Sequence, residues 1–331
     1  MADVLLLNRK QVIDLLSMRD AIAVVEDAFS ALARGEAEIP PVINIQIPKF
    51  KGEVDIKSGY VGSIDTVAVK IAGGFWQNPQ KLGLPSVIGT ILLVDGSTGL
   101  PLALMDGSYI TAVRTGAAGA VAAKYLSREN AQAVGIIGAG SQARMQLRGL
   151  IEVRPIRSVS VFDPVDQERA LSYAHEMEHE KPGLKIKIVA SVEEAVADAD
   201  VVVTTTPSTT PLVRSEWIRQ GTHITAIGAD APGKQELDPL ILKRARVVVD
   251  RLSQCRLIGE TQHALKCGVI LEGDIYAEIG EITAGLKRGR QSDDEVTLFD
   301  STGVAVQDIA TASLVYRSAR DKGAGTVLQW L

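Results

Sequence analysis

The sequence predicts an α/β protein, a doubly wound parallel sheet accompanied by a discontinuous α+β domain, and three observations carry that expectation. A buried strand, a glycine turn and a helix start follow one another in Val134-Gly135-Ile136-Ile137-Gly138-Ala139-Gly140-Ser141-Gln142-Ala143, and this unit begins only after some 130 residues. From there apolar runs at 133–137, 159–162, 186–189, 201–204, 223–227 and 247–249 alternate with helical or loop segments, the pattern of a doubly wound sheet. Ahead of it lie strand-like runs separated by Gly, Pro and Asp turns, and after it comes one more apolar helix.

Taken in order, residues 9–34 read as an amphipathic helical region, with Ile22, Val25, Ala28, Phe29 and Leu32 at helical spacing and Gly35 beyond its end. The runs 43–47, 54–56, 67–71, 87–94 and 100–105 read as strands, mainly antiparallel, with Asp95-Gly96-Ser97-Thr98-Gly99 as a hairpin turn. A helix of small residues over 111–126 bridges to the sheet, and residues 304–322 form the closing helix. The expected domains are therefore 1–122 with 304–331, interrupted by 123–303.

The residue types in the glycine unit suit a dinucleotide. Gly138 permits the tight turn, Gly140 lets the backbone approach a pyrophosphate, and Ala143 is the small residue where helix meets strand. The helix N-terminus, with Ser141 and Gln142, offers N–H groups and positive dipole to phosphates. A lone G-x-G-x-x-A is a weak signal, since many strand-to-helix turns carry glycine for packing alone. The second strand of the unit adds to it by ending at Asp163, placed to accept the ribose hydroxyls. Pro164-Val165-Asp166 brings no cation for a 2′-phosphate and Asp166 repels one, which favours NAD over NADP. The competing reading has Asp163 cap the next helix.

A net charge of −5 without a basic stripe argues against nucleic acid as a partner. Met1-Ala2-Asp3-Val4 has no basic leader start and no apolar run nears the ~18 residues that span a bilayer, so a cytoplasmic protein with no membrane partner is expected. Cys255 and Cys267 are too few for a disulfide framework. His175-Glu176-Met177-Glu178-His179 matches the H-E-x-x-H spelling of zinc sites, but it falls in a charged outer helix over 167–181. Only His223 and His263 remain as further imidazoles, and no third ligand is evident, so no metal is expected.

Three charged residues stand in apolar surroundings. Lys70 closes Val67-Ala68-Val69, Arg114 precedes Thr115-Gly116-Ala117-Ala118, and Asp230 follows Ile227-Gly228-Ala229 at a strand's carboxyl end, where open α/β sheets bind ligands. Two cations and an acid suit an anionic substrate, with arginine able to clamp a carboxylate bidentately. Surface pairing of the cations, and a turn role for Asp230 before Pro232-Gly233, are the plainer readings.

At these residues the chain resembles the ornithine cyclodeaminase/µ-crystallin family over essentially its whole length. The resemblance lies in Lys70 with residues 73–79, Arg114-Thr115-Gly116-Ala117-Ala118, the glycine turn, Thr204-Thr205-Thr206-Pro207-Ser208, Gly228-Ala229-Asp230-Ala231-Pro232-Gly233-Lys234 and Phe299-Asp300-Ser301-Thr302-Gly303. Pro232-Gly233-Lys234-Gln235-Glu236-Leu237-Asp238 and Val306-Gln307-Asp308 look most like the archaeal-type alanine dehydrogenase and imine (iminosuccinate) reductase branch. The resemblance implies a homodimer with a Rossmann domain for NAD beside a discontinuous dimerisation and substrate domain. It implies that Lys70 contacts the substrate carboxylate or polarises the reacting carbon, that Arg114 lies where substrate and nicotinamide meet, and that Thr302 lines the substrate pocket. Ser86, Thr115, Gly138, Gly140, Ser141, Gln142, Asp163, Thr204, Gly228 and Ser301 fall on cofactor positions, and Asp230 on the acid/base.

One departure bears on the substrate. Relatives commonly carry an early-strand arginine for the α-carboxylate, whereas no arginine occurs here between Arg34 and Arg114. Lys57 stands where relatives often show an apolar residue, and either replaces that cation, meets a second carboxylate as in an iminosuccinate-type substrate, or is a solvated edge lysine. The expected activity is an NAD-dependent amino-acid dehydrogenase or imine reductase. Its rivals are an ornithine cyclodeaminase, with Asp55 as the acid for the distal ammonium, and a non-catalytic crystallin-like binding protein.

Overall fold

The computed structural model describes residues 3–331; Met1 and Ala2, part of the leader expectation, lie outside the described residues. Among the described residues no helix is long and apolar enough to cross a membrane. The chain parts into two compact units, Met1–Arg114 with Val304–Leu331, and Thr115–Gly303.

The first unit opens with β1 (Asp3–Leu7), α1 (Arg9–Leu15) and α2 (Met18–Ala33). The amphipathic region expected as one stretch is thus two helices, because each start is separately capped. Asn8 and Gln11 form a reciprocal capping box on α1, Leu16 turns extended, and Ser17 then accepts the Asp20 N–H to begin α2. There follow β2 (Ala37–Glu38), β3 (Ile43–Ile47), β4 (Gly52–Val61), β5 (Thr66–Phe75), α3 (Asn78–Leu82), β6 (Val87–Asp95), β7 (Pro101–Asp106) and α4 (Gly107–Leu126), whose first turns belong to this unit. Strands β3 to β7 pair antiparallel in sequence order, as expected, while β1 runs parallel to β7. Asp95 closes the β6–β7 turn by accepting the N–H groups of Ser97 and Thr98.

The second unit holds the remainder of α4 and then β8 (Ala133–Ile137), α5 (Ser141–Val153), β9 (Ser158–Phe162), α6 (Gln167–Glu180), β10 (Lys185–Ile188), α7 (Val192–Val196), β11 (Val201–Thr204) and β12 (Thr209–Val213). It continues through β13 (His223–Ala226), β14 (Gln235–Leu237), α8 (Pro239–Arg244), β15 (Arg246–Val249), α9 (Leu252–Ile258), α10 (Thr261–Lys266), β16 (Ala277–Glu278), α11 (Ile279–Thr283) and β17 (Thr297–Asp300). Eight strands form a parallel sheet in the order β10-β9-β8-β11-β13-β17-β15-β16. Strand order reverses beside β8, at the glycine turn. Strands buried on both faces need no polar alternation, which is why Val201, Val202 and Val203 are all fully buried. Strand β17 shows no period in the sequence, because it is only four residues long and the chain on either side of it is irregular.

The chain then re-enters the first unit with α12 (Ala305–Lys322), ended by Gly323 in the left-handed region at φ 61°, and β18 (Thr326–Gln329), which pairs with β1. Helices α12 and α2 cover one face of the antiparallel sheet. The opposite face stays open: Ile43, Ile45, Ile71, Ile88 and Leu104 share it by register and are exposed.

Candidate active site

In the first unit three expected residues converge on the helix-covered face. Lys57 and Lys70 are direct cross-strand partners on β4 and β5. Alternation sends both to the face that α12 covers, where Asp308, on the first turn of α12, receives Lys70 at 2.7 Å. The same carboxylate binds the Arg114 Nε at 3.0 Å, and an Arg114 Nη donates to the Gln307 amide oxygen at 2.7 Å. Lys70, Arg114 and Asp308 have side chains at most 6% exposed. Burial pulls Lys70 down to about 7, against the pull of Asp308, with Arg114 and Lys57 adding to the depression. For Asp308 burial acts upward, but Arg114 and Lys70 outweigh it and hold the carboxyl below its ordinary value. Ser86 is not part of this cluster: it lies in the connection between β5 and β6, where its carbonyl accepts the Phe75 N–H. In the sequence Gln307 and Asp308 stand out only as family spelling. The signal for more was present, since a carboxylate inside the apolar run Val304 to Ala312 needs a buried cation.

In the second unit the expected residues other than Thr115 lie at the carboxyl ends of parallel strands, the ligand-binding edge of such sheets. Gly138 follows β8 at φ +91°, where an added Cβ would come within 2.8 Å of Thr206. Gly140, by contrast, would point a Cβ into open space, and it starts α5 without a side-chain cap. A bare helix start with room before it, followed by Ser141, Gln142 and the fully buried Ala143, fits a pyrophosphate. Asp163, after β9, accepts the Ala139 N–H on Oδ2 at 2.9 Å and the N–H groups of Val165 and Asp166 on Oδ1 at 3.0 Å. It therefore braces the glycine turn and begins the next turn at once, while a carboxylate's further lone pairs remain for hydroxyl donors.

Thr204 ends β11, fully buried. Gly228 and Asp230 follow β13; Asp230 is half exposed and takes Lys234 Nζ at 2.6 Å, a partner not foreseen. Ser301 and Thr302 follow β17 and are gathered by Asp250, which accepts from the Ser301 hydroxyl and from the N–H groups of Thr302 and Gly303. Thr115 lies on α4, its carbonyl accepting from Gln146. The H-E-x-x-H segment lies on α6, where Glu176 pairs with Arg144 and Arg148 of α5.

Known proteins resemble this chain from end to end. An archaeal alanine dehydrogenase, solved as a dimer with bound NAD, superposes with a TM-score of 0.94 at 43% identity over 100% of both chains. The Δ1-pyrroline-2-carboxylate reductase of Thermococcus litoralis, solved with NADH and L-proline, gives 0.93 at 42% identity over 98% of this chain and 99% of its own. The iminosuccinate reductase of Paracoccus denitrificans is 38% identical over 96% of this chain and 98% of its own. The profile of one family matches residues 2–323, and the chain belongs to it: the ornithine cyclodeaminase/mu-crystallin family.

Proposed function

We propose that the protein is an NAD(H)-dependent oxidoreductase that interconverts a small L-amino acid and its 2-imino or 2-oxo acid. The observation that carries this reading is the buried cluster of Lys70, Arg114 and Asp308, in which two cations share one carboxylate while Lys57 stands opposite Lys70. A buried excess of positive charge is costly, and a substrate carboxylate would offset that cost. Full-length relatives named as alanine dehydrogenase, iminosuccinate reductase and pyrroline-2-carboxylate reductase support the reaction class.

In this reading Lys70 and Arg114 bind and orient the carboxylate, which fixes the α-carbon, and Thr302 lines the substrate pocket. Lys57 meets a second carboxylate when the substrate has one. Gly138, Gly140, Ser141 and Gln142 hold the pyrophosphate of NAD, and Asp163 accepts the ribose hydroxyls, with no cation at 164–166 for a 2′-phosphate. Ser86, Arg114, Thr115, Thr204, Gly228 and Ser301 complete the cofactor contacts. When bound, the nicotinamide accepts the hydride from the α-carbon or returns it. Asp230, steadied by Lys234, takes a proton from the water that hydrates the imine, and in reduction delivers a proton. The Thr115–Gly303 unit serves as the cofactor domain and the other as the substrate and dimerisation domain, its open apolar sheet face meeting a second copy. Two free cysteines suit the reducing cytoplasm.

The test is NADH oxidation by the purified protein with a panel of 2-oxo acids plus ammonia or methylamine, oxaloacetate included. Turnover with at least one member is expected. Ammonia release from ornithine with no net NADH change would instead make it a cyclodeaminase, and NADH binding without turnover of any member would make it a binding protein.

A further inference from the structure

Glu236, on β14, is fully buried, and among the described residues no ion pair reaches it. Its carboxylate nonetheless accepts three hydrogen bonds from two other loops. Oε1 accepts the Thr206 N–H at 2.6 Å and the Thr206 hydroxyl at 2.7 Å, and Oε2 accepts the Gly228 N–H at 2.8 Å. Contact at Gly228 is flush: a Cβ there would lie 2.5 Å from Oε2 and 2.1 Å from the Thr206 carbonyl.

Each of these loops leads to a residue of the candidate site. Thr205, next to Thr206, donates its N–H to the Ile137 carbonyl and its hydroxyl to the Gly138 carbonyl, both at 3.0 Å, so the glycine turn rests on this loop. On the other side the Gly228 carbonyl accepts the Asp230 N–H at 3.1 Å. Glu236 is itself fixed from behind, because its N–H donates to Glu260 at 2.7 Å and the Glu260 N–H donates to Asp300 at 3.0 Å. The result is a continuous set of hydrogen bonds from the glycine turn to Asp230 with one carboxylate at its centre.

We propose that Glu236 is a positioning residue that holds the nucleotide turn and the Asp230 loop in one frame, so that it governs cofactor affinity and turnover together while touching neither reactant. This rests on the reading of Gly138 as part of the cofactor site and of Asp230 as the acid/base. Protonation turns one oxygen into a donor and takes away the charge that strengthens the hydrogen bonds from Thr206 and Gly228, so the grip on both loops loosens. Burial lifts Glu236 to about 7 against those donors, which places the change near neutral pH. Glu260, which accepts the Glu236 N–H, faces it and is raised well above its ordinary value by burial; Asp300, raised to about 6, lies behind Glu260, and Asp230 and Lys234 pair in the adjoining loop.

The experiment compares wild type, Glu236→Gln and Asp230→Asn by NADH fluorescence titration, steady-state kinetics and thermal melting across pH 7. Glu236→Gln keeps the size and shape of the side chain but puts a donor where one oxygen accepted, so thermal melting first establishes that the variant is folded. Glu236→Gln is expected to raise the NADH Kd and lower kcat at saturating NADH, each by roughly tenfold or more. Asp230→Asn loses turnover and keeps its NADH Kd. Wild-type affinity weakens as pH falls through about 7, and that limb is missing in Glu236→Gln. Should Glu236→Gln not fold, Thr206→Val, which deletes one hydroxyl, is expected to weaken NADH binding severalfold. A Glu236→Gln protein within about twofold of wild type in both constants, or a Thr206→Val protein with unchanged affinity, overturns the positioning role alone. A wild-type chain that binds no NADH overturns the cofactor reading and the positioning role with it.

Discussion

Lys70 shows how burial and partners combine at one residue. In water it would stay charged far above neutrality, but within the sheet–helix layer burial brings it to about 7 despite Asp308. A folded pKa below the unfolded one means that the native state binds fewer protons between about 7 and 10.5. Stability therefore rises with pH across that window as far as this group decides it. Activity should move the other way: kcat/KM is expected to fall as pH rises through about 7, because neutral Lys70 no longer attracts a carboxylate, and Lys70→Arg should lack that limb. A flat profile would remove Lys70 from carboxylate binding. Lys57→Ala is expected to cut kcat/KM for dicarboxylic substrates by about tenfold while sparing monocarboxylic ones; an equal effect on both classes would remove Lys57 from recognition of a second carboxylate.

Among the elements, the small-residue helix α4 has its explanation in contact with α5. A Cβ at Gly149 would lie 2.6 Å from the Gly116 carbonyl, and one at Gly116 would lie 2.4 Å from the Met145 carbonyl, so the two helices meet backbone to backbone. Helix propensity favours alanine over glycine by about 1 kcal/mol, yet overpacking costs about 1–3 kcal/mol when rigid backbone is the neighbour. Packing should win. Gly149→Ala is expected to lower the melting temperature by a few degrees, and a stabilised variant would show that the helices can separate without cost. The sequence displayed the run of small residues in α4 but not the partner that requires it, because α5 reaches it only through the fold.

For the whole molecule, the open face of the antiparallel sheet asks for a partner. Ile71 and Ile88, 48% and 45% exposed, lie with Ile43, Ile45 and Leu104 on the side away from α2 and α12. Contiguous apolar surface of this kind marks an association site. Sedimentation equilibrium is expected to find a dimer, and Ile71→Glu with Ile88→Glu should yield a folded monomer with unchanged circular dichroism. A monomeric wild type would end the proposal.

Local signals on the chain were enough for the parallel sheet, its glycine turn, Asp163 at the end of β9, and the strands of the first unit, because period, turn chemistry and strand ends are written in neighbouring residues. Lys70, Arg114 and Asp230 stand out as charges in apolar runs, but for Lys70 and Asp230 taken singly the ordinary structural role is the plainer one, and only the family motifs reverse that order. Other features were decided only by folding. The cap at Ser17 split one helical region into two, and four residues too short to show a period became the strand β17. Asp308 met Lys70 across 238 positions of sequence, Lys234 closed on Asp230, and Glu236 joined Thr206 to Gly228. Pairings of this kind depend on which loops a parallel sheet brings to one edge and which helix covers one face, and these are properties of topology that no window of sequence contains.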